Sequence, residues 1–367
     1  MKYAALLSAV AAAAPAARGA IPTLTLNNGI AMPRMLLGTG GGGGGYNVSA
    51  WLGVTSGMTT GFDSAYTYCY NSAAPFCSHV AIYDAVSAAG LDPTTLFYVS
   101  KIEPEDFGPT AYMSGFGRVV DRGILQDLAI ARLDMLMAHQ AGRHETDSNY
   151  HPPCFDASGA GGNGTYYPCR VQMMQSFLQI QKQGLARSVA VSNWQVRDLQ
   201  QVFDATGVFP AANEIEVHPY WHEDDTIAFC RSHNITVINY APVSMNNPAL
   251  MKEPAVVAAA AAHGVTPAQV VLRWGLQYTG GVIIPRSHDA QHMRVPQNRS
   301  PPPPPTHATP TLTGKPRVDC HAHPYPDSTR RRDNVAVFDF ALSDAEVASM
   351  SNYTQHKIFN VYCQPWC

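Results

Sequence analysis

Short apolar runs rich in β-branched residues alternate along this chain with longer segments of helical periodicity. Residues 35–39, 62–65, 96–100, 133–138, 188–191, 214–217, 236–240 and 281–284 read as strands. Helices are predicted between them over 78–89, 119–132, 171–183, 195–203, 225–232 and 266–277. Thr266 ahead of Pro267 is a favourable helix start, because the first helical residue has no N–H partner to lose. Upstream, the apolar segments 24–26 and 30–32 flank Asn27-Asn28-Gly29, a hairpin signal. Eight strands separated by helices in about 250 residues predict an α/β fold, a closed (β/α)8 TIM barrel with an N-terminal β-hairpin.

The strand ends carry polar residues of complementary proton chemistry. Asp63 lies in the second barrel strand and Tyr68 on the loop after it, while Lys101 and His139 close the third and fourth strands. Catalytic groups of such barrels gather at the strand C-termini, so these four residues point to an enzyme.

Composition narrows the setting. The chain has 367 residues, 46% hydrophobic and 14% charged, which suits a well-buried globule. A formal net charge of −3 provides no basic stripe and excludes nucleic acid as an expected partner. Residues 1–20 read as a signal peptide: Lys2, an apolar run over 4–14, then small residues near Ala20. No later segment is long and apolar enough to suggest stable membrane insertion. The expected destination is the secretory pathway, or a plastid reached through a signal peptide. Sequons at Asn47, Asn163, Asn234, Asn298 and Asn352 agree with a glycoprotein. The 8 cysteines include three close pairs, Cys69/Cys77, Cys154/Cys169 and Cys363/Cys367, which read as short-loop disulfides. No metal is expected, since the chain has no CxxC pair and the nearby histidines lack ligand spacing.

Three segments break the rhythm. The glycine run 40–45 lacks the Lys-Ser/Thr of a phosphate loop and reads as a loop. A Gly-, Pro- and Cys-rich insertion over 141–170 follows His139 directly. Residues 295–332 contain five consecutive prolines and cannot build a core.

The ordered motifs resemble the aldo-keto reductase superfamily over about residues 22–350, the odd segments aside. Leu26-Asn27-Asn28-Gly29 and Leu37-Gly38-Thr39 are similar to its opening hairpin and first strand. Asp63-Ser64-Ala65-x-x-Tyr68 and Ser100-Lys101 resemble its Asp-Thr-Ala-x-x-Tyr and Thr/Ser-Lys. Further matches are Ala190-Val191-Ser192-Asn193-Trp194, the run Asn213-Glu214-Ile215-Glu216-Val217-His218-Pro219-Tyr220, Tyr240-Ala241-Pro242 and Ile284-Pro285-Arg286-Ser287. The resemblance implies a monomeric reductase of small carbonyl substrates that uses NADPH (NADP+). Tyr68 would be the proton donor, Lys101 and Asp63 its tuning pair, and His139 the group orienting the carbonyl. A phenol titrates near pH ~10, so a nearby cation is what lets it share its proton at neutral pH. Carried over in the same way, Ser192, Asn193 and Glu214 would hold the nicotinamide carboxamide and Tyr240 would stack on the ring. Thr39, Ser287 and Asn334 would also border the cofactor, with Arg286 and His292 at the 2′-phosphate.

Departures accompany the likeness. Glu214 stands where the family has Gln and Ala241 where it has Ser, and Ala138-His139-Gln140 lacks the usual His-Trp-Pro. Deleting 295–332 joins His292-Met293-Arg294 to Asp333-Asn334 and restores the family's spacing, so the segment reads as a surface insertion or as translated intron. The barrel is then expected over 21–355, with a tail over 356–367. Two other readings stay open: a catalytically weak cofactor-binding barrel acting as a regulatory subunit, and a glycosidase using Glu214 with Glu216.

Overall fold

Gly29 turns the first hairpin. Its φ of 83° lies in the left-handed region, and its N–H donates to Leu26 O at 2.9 Å. The turn joins β1 (Thr23–Thr25) to β2 (Ala31–Pro33) in an antiparallel pair. Asn27 Nδ2 donates to Pro210 O at 3.0 Å, and Asn28 Nδ2 donates to Arg187 O at 3.1 Å and Ser188 Oγ at 3.0 Å. These bonds fasten the hairpin across the N-terminal end of the main sheet. The computed structural model describes residues 21–40, 53–54, 59–70, 77–103, 119, 123–142, 154–156, 166–286 and 334–354. Outside them lie the expected leader 1–20, the sequons at Asn47, Asn163 and Asn298, most of the loop 141–170, Ser287, His292, the segment 295–332 and the tail 356–367.

The main sheet has eight strands in chain order, every neighbouring pair parallel. They are β3 (Leu37–Gly38), β4 (Gly61–Asp63), β5 (Phe97–Ile102) and β6 (Leu133–Ala138), then β7 (Ala186–Ser192), β8 (Ala212–Glu216), β9 (Thr236–Tyr240) and β10 (Val282–Ile283). The last strand returns to the first: Met35 bridges Ile283, Leu36 N–H donates to Ile283 O and Gly38 N–H to Pro285 O, each at 3.1 Å. The sheet is therefore a closed (β/α)8 barrel. Alternation sorts its side chains. Phe97, Val99, Met135, Met137 and Ile238 fill the interior above Leu26 and Met32 of the hairpin region. Phe62, Leu136 and Val191 face outward, in a second core that includes Met173, Phe177 and Trp274 of the helices.

Several boundaries depart from expectation. The second barrel strand ends at Asp63 rather than at residue 65, because Ala65 O accepts from Tyr68 N–H and starts the one-turn helix Thr67–Tyr70. The helix expected over 119–132 is Ile124–Leu128 among the described residues. Ala129 takes a left-handed φ of 51° and Ile130 N–H closes on Leu125 O, which stops it. Helix Pro254–His263 carries no helical period, being apolar around most of its circumference, and it packs beside helix Pro267–Thr279. Helix Asp344–Met350 begins at a reciprocal Ser343/Glu346 capping box. Among the described residues no single helix is long and apolar enough to cross a membrane.

Candidate active site

The inward period of β5 runs Phe97, Val99, Lys101 and then Glu103, so a lysine and a glutamate rise from the apolar interior toward the strand C-termini. Lys101 is completely buried, and Nζ donates to Asp63 Oδ1 at 2.6 Å, Asp63 Oδ2 at 2.7 Å and Ser64 O at 3.2 Å. Across the barrel, Glu214 Oε1 lies 3.3 Å from the same nitrogen. Burial alone would strip the charge from this ammonium, but Asp63 first and then Glu214 outweigh it and hold Lys101 above its ordinary value. Behind the lysine, burial and then Lys101 itself push the His79 imidazole down to about 3, so that ring is neutral.

Tyr68 sits on the one-turn helix after β4, with Lys101 Nζ 5.9 Å from its ring centroid. Burial raises the phenol well above its ordinary value, Lys101 pulls it back, and Asp63 and Glu214 oppose that pull. The phenol therefore stands protonated beside a fixed cation. A Cβ on Gly40 would come within 2.5 Å of the Tyr68 hydroxyl, so only glycine allows the chain to pass there. His139 meets the Tyr68 ring edge-on, with centroids 5.7 Å apart and an interplanar angle of 77°. Its Nδ1 bonds Glu103 Oε1, which also accepts from Thr67 Oγ1 at 2.8 Å. Burial would neutralise Glu103, but the contacts with His139 and Thr67 hold it below the usual carboxylate range. Glu103 belongs to this cluster although none of the sequence motifs contains it. Its signal was plain alternation, two residues beyond Lys101 on the same face.

A second group lines the mouth. Asn193, at a left-handed φ of 62°, donates to His139 O at 3.1 Å and Ser192 Oγ at 3.0 Å, while its Oδ1 accepts from Tyr240 OH at 2.9 Å. Ser192 Oγ donates to Glu214 O at 2.9 Å. Thr39 spends its hydroxyl on Asp63 O at 2.8 Å, and Arg286 donates to Gly40 O. Asn334 is buried in the turn Asn334–Phe338. Glu216 is bound to His218 Nε2 at 3.0 Å and Glu214 faces Lys101, so the two glutamates form no pair across a cleft. Cys69–Cys77 and Cys154–Cys169 are disulfides, and Cys230 is a buried thiol pushed up to about 12 by burial.

Glu214 has an electrostatic consequence. Burial, then the Asp63 charge and a hydrogen bond with Asp63, raise its carboxyl well above the usual range, although Lys101 pulls the other way; its Oε2 is buried and has no hydrogen-bond partner among the described residues. A carboxyl with a raised folded value supports the fold fully below its unfolded value of about 4.5 and loses that support as pH rises toward the folded one. Glu214→Gln is therefore expected to raise stability at neutral pH by roughly 1–2 kcal/mol, with little gain near pH ~4. Thermal melts of both proteins across that range check it, and a gain that shrinks as pH rises would refute it.

The profile of the Aldo/keto reductase family matches residues 120–295. An aldo-keto reductase of Mycobacterium leprae is 30% identical over 223 residues, 61% of this chain and 68% of its own. The 2,5-diketo-D-gluconic acid reductase B of a Corynebacterium species is 28% identical over 278 residues, 75% of this chain and 86% of its own. Among solved structures, the aldose reductase of Schistosoma japonicum superposes with a TM-score of 0.67 at 21% identity, covering 92% of this chain and 94% of its own. The barrel, its buried lysine and these likenesses together place the chain in the aldo/keto reductase family, as an oxidoreductase acting on carbonyl groups.

Proposed function

We propose that this chain reduces aldehydes or ketones to alcohols with NADPH as hydride source and Tyr68 as proton donor. The observation that carries the reading is the fully buried Lys101 held between Asp63 and Glu214 beneath the Tyr68 ring. The residues at the mouth fit a nicotinamide: Glu214 Oε2 is buried without a partner among the described residues, and Ser192, Asn193 and Tyr240 already form one hydrogen-bonded chain beside it. When bound, the nicotinamide supplies the hydride. The protein does the rest. Tyr68 gives its hydroxyl proton to the carbonyl oxygen as negative charge builds there, and Lys101 stabilises the phenolate left behind. Asp63 keeps Lys101 charged and in place. The carry-over of Arg286 and His292 to the 2′-phosphate favours NADPH over NADH, because a guanidinium fork suits a phosphate. Nicotinamide fluorescence titration, followed by NADPH oxidation with a generic aldehyde, tests the reading. Binding without any oxidation above the Tyr68→Phe rate would leave a regulatory barrel instead.

His139 reaches the carbonyl in this reading, and Glu103 positions it by accepting from Nδ1, which leaves Nε2 for the substrate. Glu103→Ala is expected to lower kcat/KM for the aldehyde about 10- to 100-fold while NADPH affinity stays unchanged. Glu103→Gln keeps an acceptor and should recover most of the loss. Equal losses in both variants, or a matching loss of cofactor affinity, would show that Glu103 only supports the fold.

A further inference from the structure

On the outer side of β5, behind the catalytic lysine, four potential ligands converge. Cys69 directly follows Tyr68 on the one-turn helix, Cys77 caps helix Ser78–Ala88, His79 is that helix's second residue, and Asp127 belongs to helix Ile124–Leu128. Their ligand atoms all lie within 4.8 Å of one another. Cys69 Sγ is 3.2 Å from His79 Nδ1, Cys77 Sγ is 3.6 Å from Asp127 Oδ2, and His79 Nδ1 is 4.0 Å from that oxygen. In tetrahedral zinc coordination, bonds of ~2.3 Å to sulfur and ~2.0–2.1 Å to nitrogen or oxygen put sulfur–nitrogen and sulfur–oxygen edges near ~3.5 Å and the nitrogen–oxygen edge near ~3.3 Å. The edges of 3.2 and 3.6 Å are close to those lengths, the nitrogen–oxygen edge of 4.0 Å must shorten, and the remaining cross edges lie within 4.8 Å. The two sulfurs, joined here as a disulfide, must part to about 3.8 Å.

The surroundings suit an ion as well. His79 is buried, and its Nε2 lies 3.0 Å from Ser100 Oγ. With Nε2–H donating to that hydroxyl, Nδ1 presents its lone pair to the sulfurs. A partner on the far nitrogen is what metal-binding histidines require. The sequence hides the site, because Asp127 arrives from a helix fifty residues away and the cysteines are not spaced as a CxxC pair.

We propose that Cys69, Cys77, His79 and Asp127 form a tetrahedral zinc site in the reduced protein, and that the disulfide is the metal-free state of the same residues. A small dithiol drives the exchange. It passes two electrons and two protons to the disulfide and becomes a cyclic disulfide itself. The two cysteine thiols then release two protons as their sulfurs bind Zn2+. Since Cys69 shares its helical turn with Tyr68, the ion or the disulfide fixes the turn that carries the phenol.

The test uses the full chain, reduced with dithiothreitol, freed of it without air, and titrated with ZnCl2 against a chromophoric chelator. One zinc per chain is expected in the reduced protein and none at that affinity in the oxidised one. Co2+ in its place should give thiolate-to-cobalt charge-transfer absorption. Asp127→Asn, nearly isosteric and partly exposed, should weaken zinc binding more than about tenfold, the lower bound even for outer-shell partners. Cys77→Ser should remove the reduction-dependent zinc and weaken the cobalt band. Other thiols are also released on reduction, so the variants decide. No zinc in the reduced protein, or the same stoichiometry and affinity in wild type and both variants, overturns the proposal.

Discussion

Tyr68→Phe is expected to lower kcat for aldehyde reduction by about 10²- to 10⁴-fold, the usual contribution of a positioned general acid. The substitution removes one oxygen and leaves the ring that meets His139 edge-on. NADPH affinity and the melting temperature should therefore stay near wild type, and steady-state kinetics beside fluorescence titration will show it. The prediction follows from the electrostatics of the phenol. Burial alone makes Tyr68 hold its proton too tightly to give it away, and Lys101 is the largest opposing influence. A variant as fast as wild type would mean that another group supplies the proton.

Lys101→Met is expected to damage both stability and rate. The ammonium holds Asp63 through two bonds and faces Glu214 at 3.3 Å, all in the barrel interior. Removing it leaves two carboxyl groups sharing one dry space. Breaking a buried pair in this way costs about 3–5 kcal/mol, a melting shift of roughly 4–7 °C for a chain of this size. Acid should narrow the deficit, because without the ammonium each carboxyl raises the other further, and protonation of either one relieves the repulsion. Melting curves at neutral and acid pH check the sign. An unchanged melting temperature would mean that the carboxyl groups do not depend on Lys101. Activity should fall with it, as the phenolate would lose its counter-charge.

Much of the barrel was legible because alternation and helical periodicity are local properties. The strands 133–138 and 236–240 were read to the residue: the first has long ladders on both sides, and the second pairs over its whole length with β8. The first and last barrel strands were read as five and four residues and pair over only two each, where the closing seam leaves fewer partners. Helix Pro254–His263 was invisible for the opposite reason: a run of alanines has no apolar face to detect. In the site, Asp63, Tyr68, Lys101 and His139 could be named from strand ends. What could not be read is which side chains meet across the barrel. Glu214 against Lys101 and Arg286 against Gly40 join residues more than one hundred positions apart, and no period links them. The four residues around Cys69 are a further case, brought together by three separate elements.

The seam also bears on how this barrel can change over generations. β6 and β7 share a ladder from Leu133 to Ala138, whereas β10 is tied to its neighbours by two register positions and a single bridge. Chain leaving β10 thus departs from a lightly paired part of the sheet, and doubling a connection's length costs only about 0.6 kcal/mol in closure entropy. Residues 287–333 depart from there. The last connection is therefore a place where added chain disturbs little strand pairing.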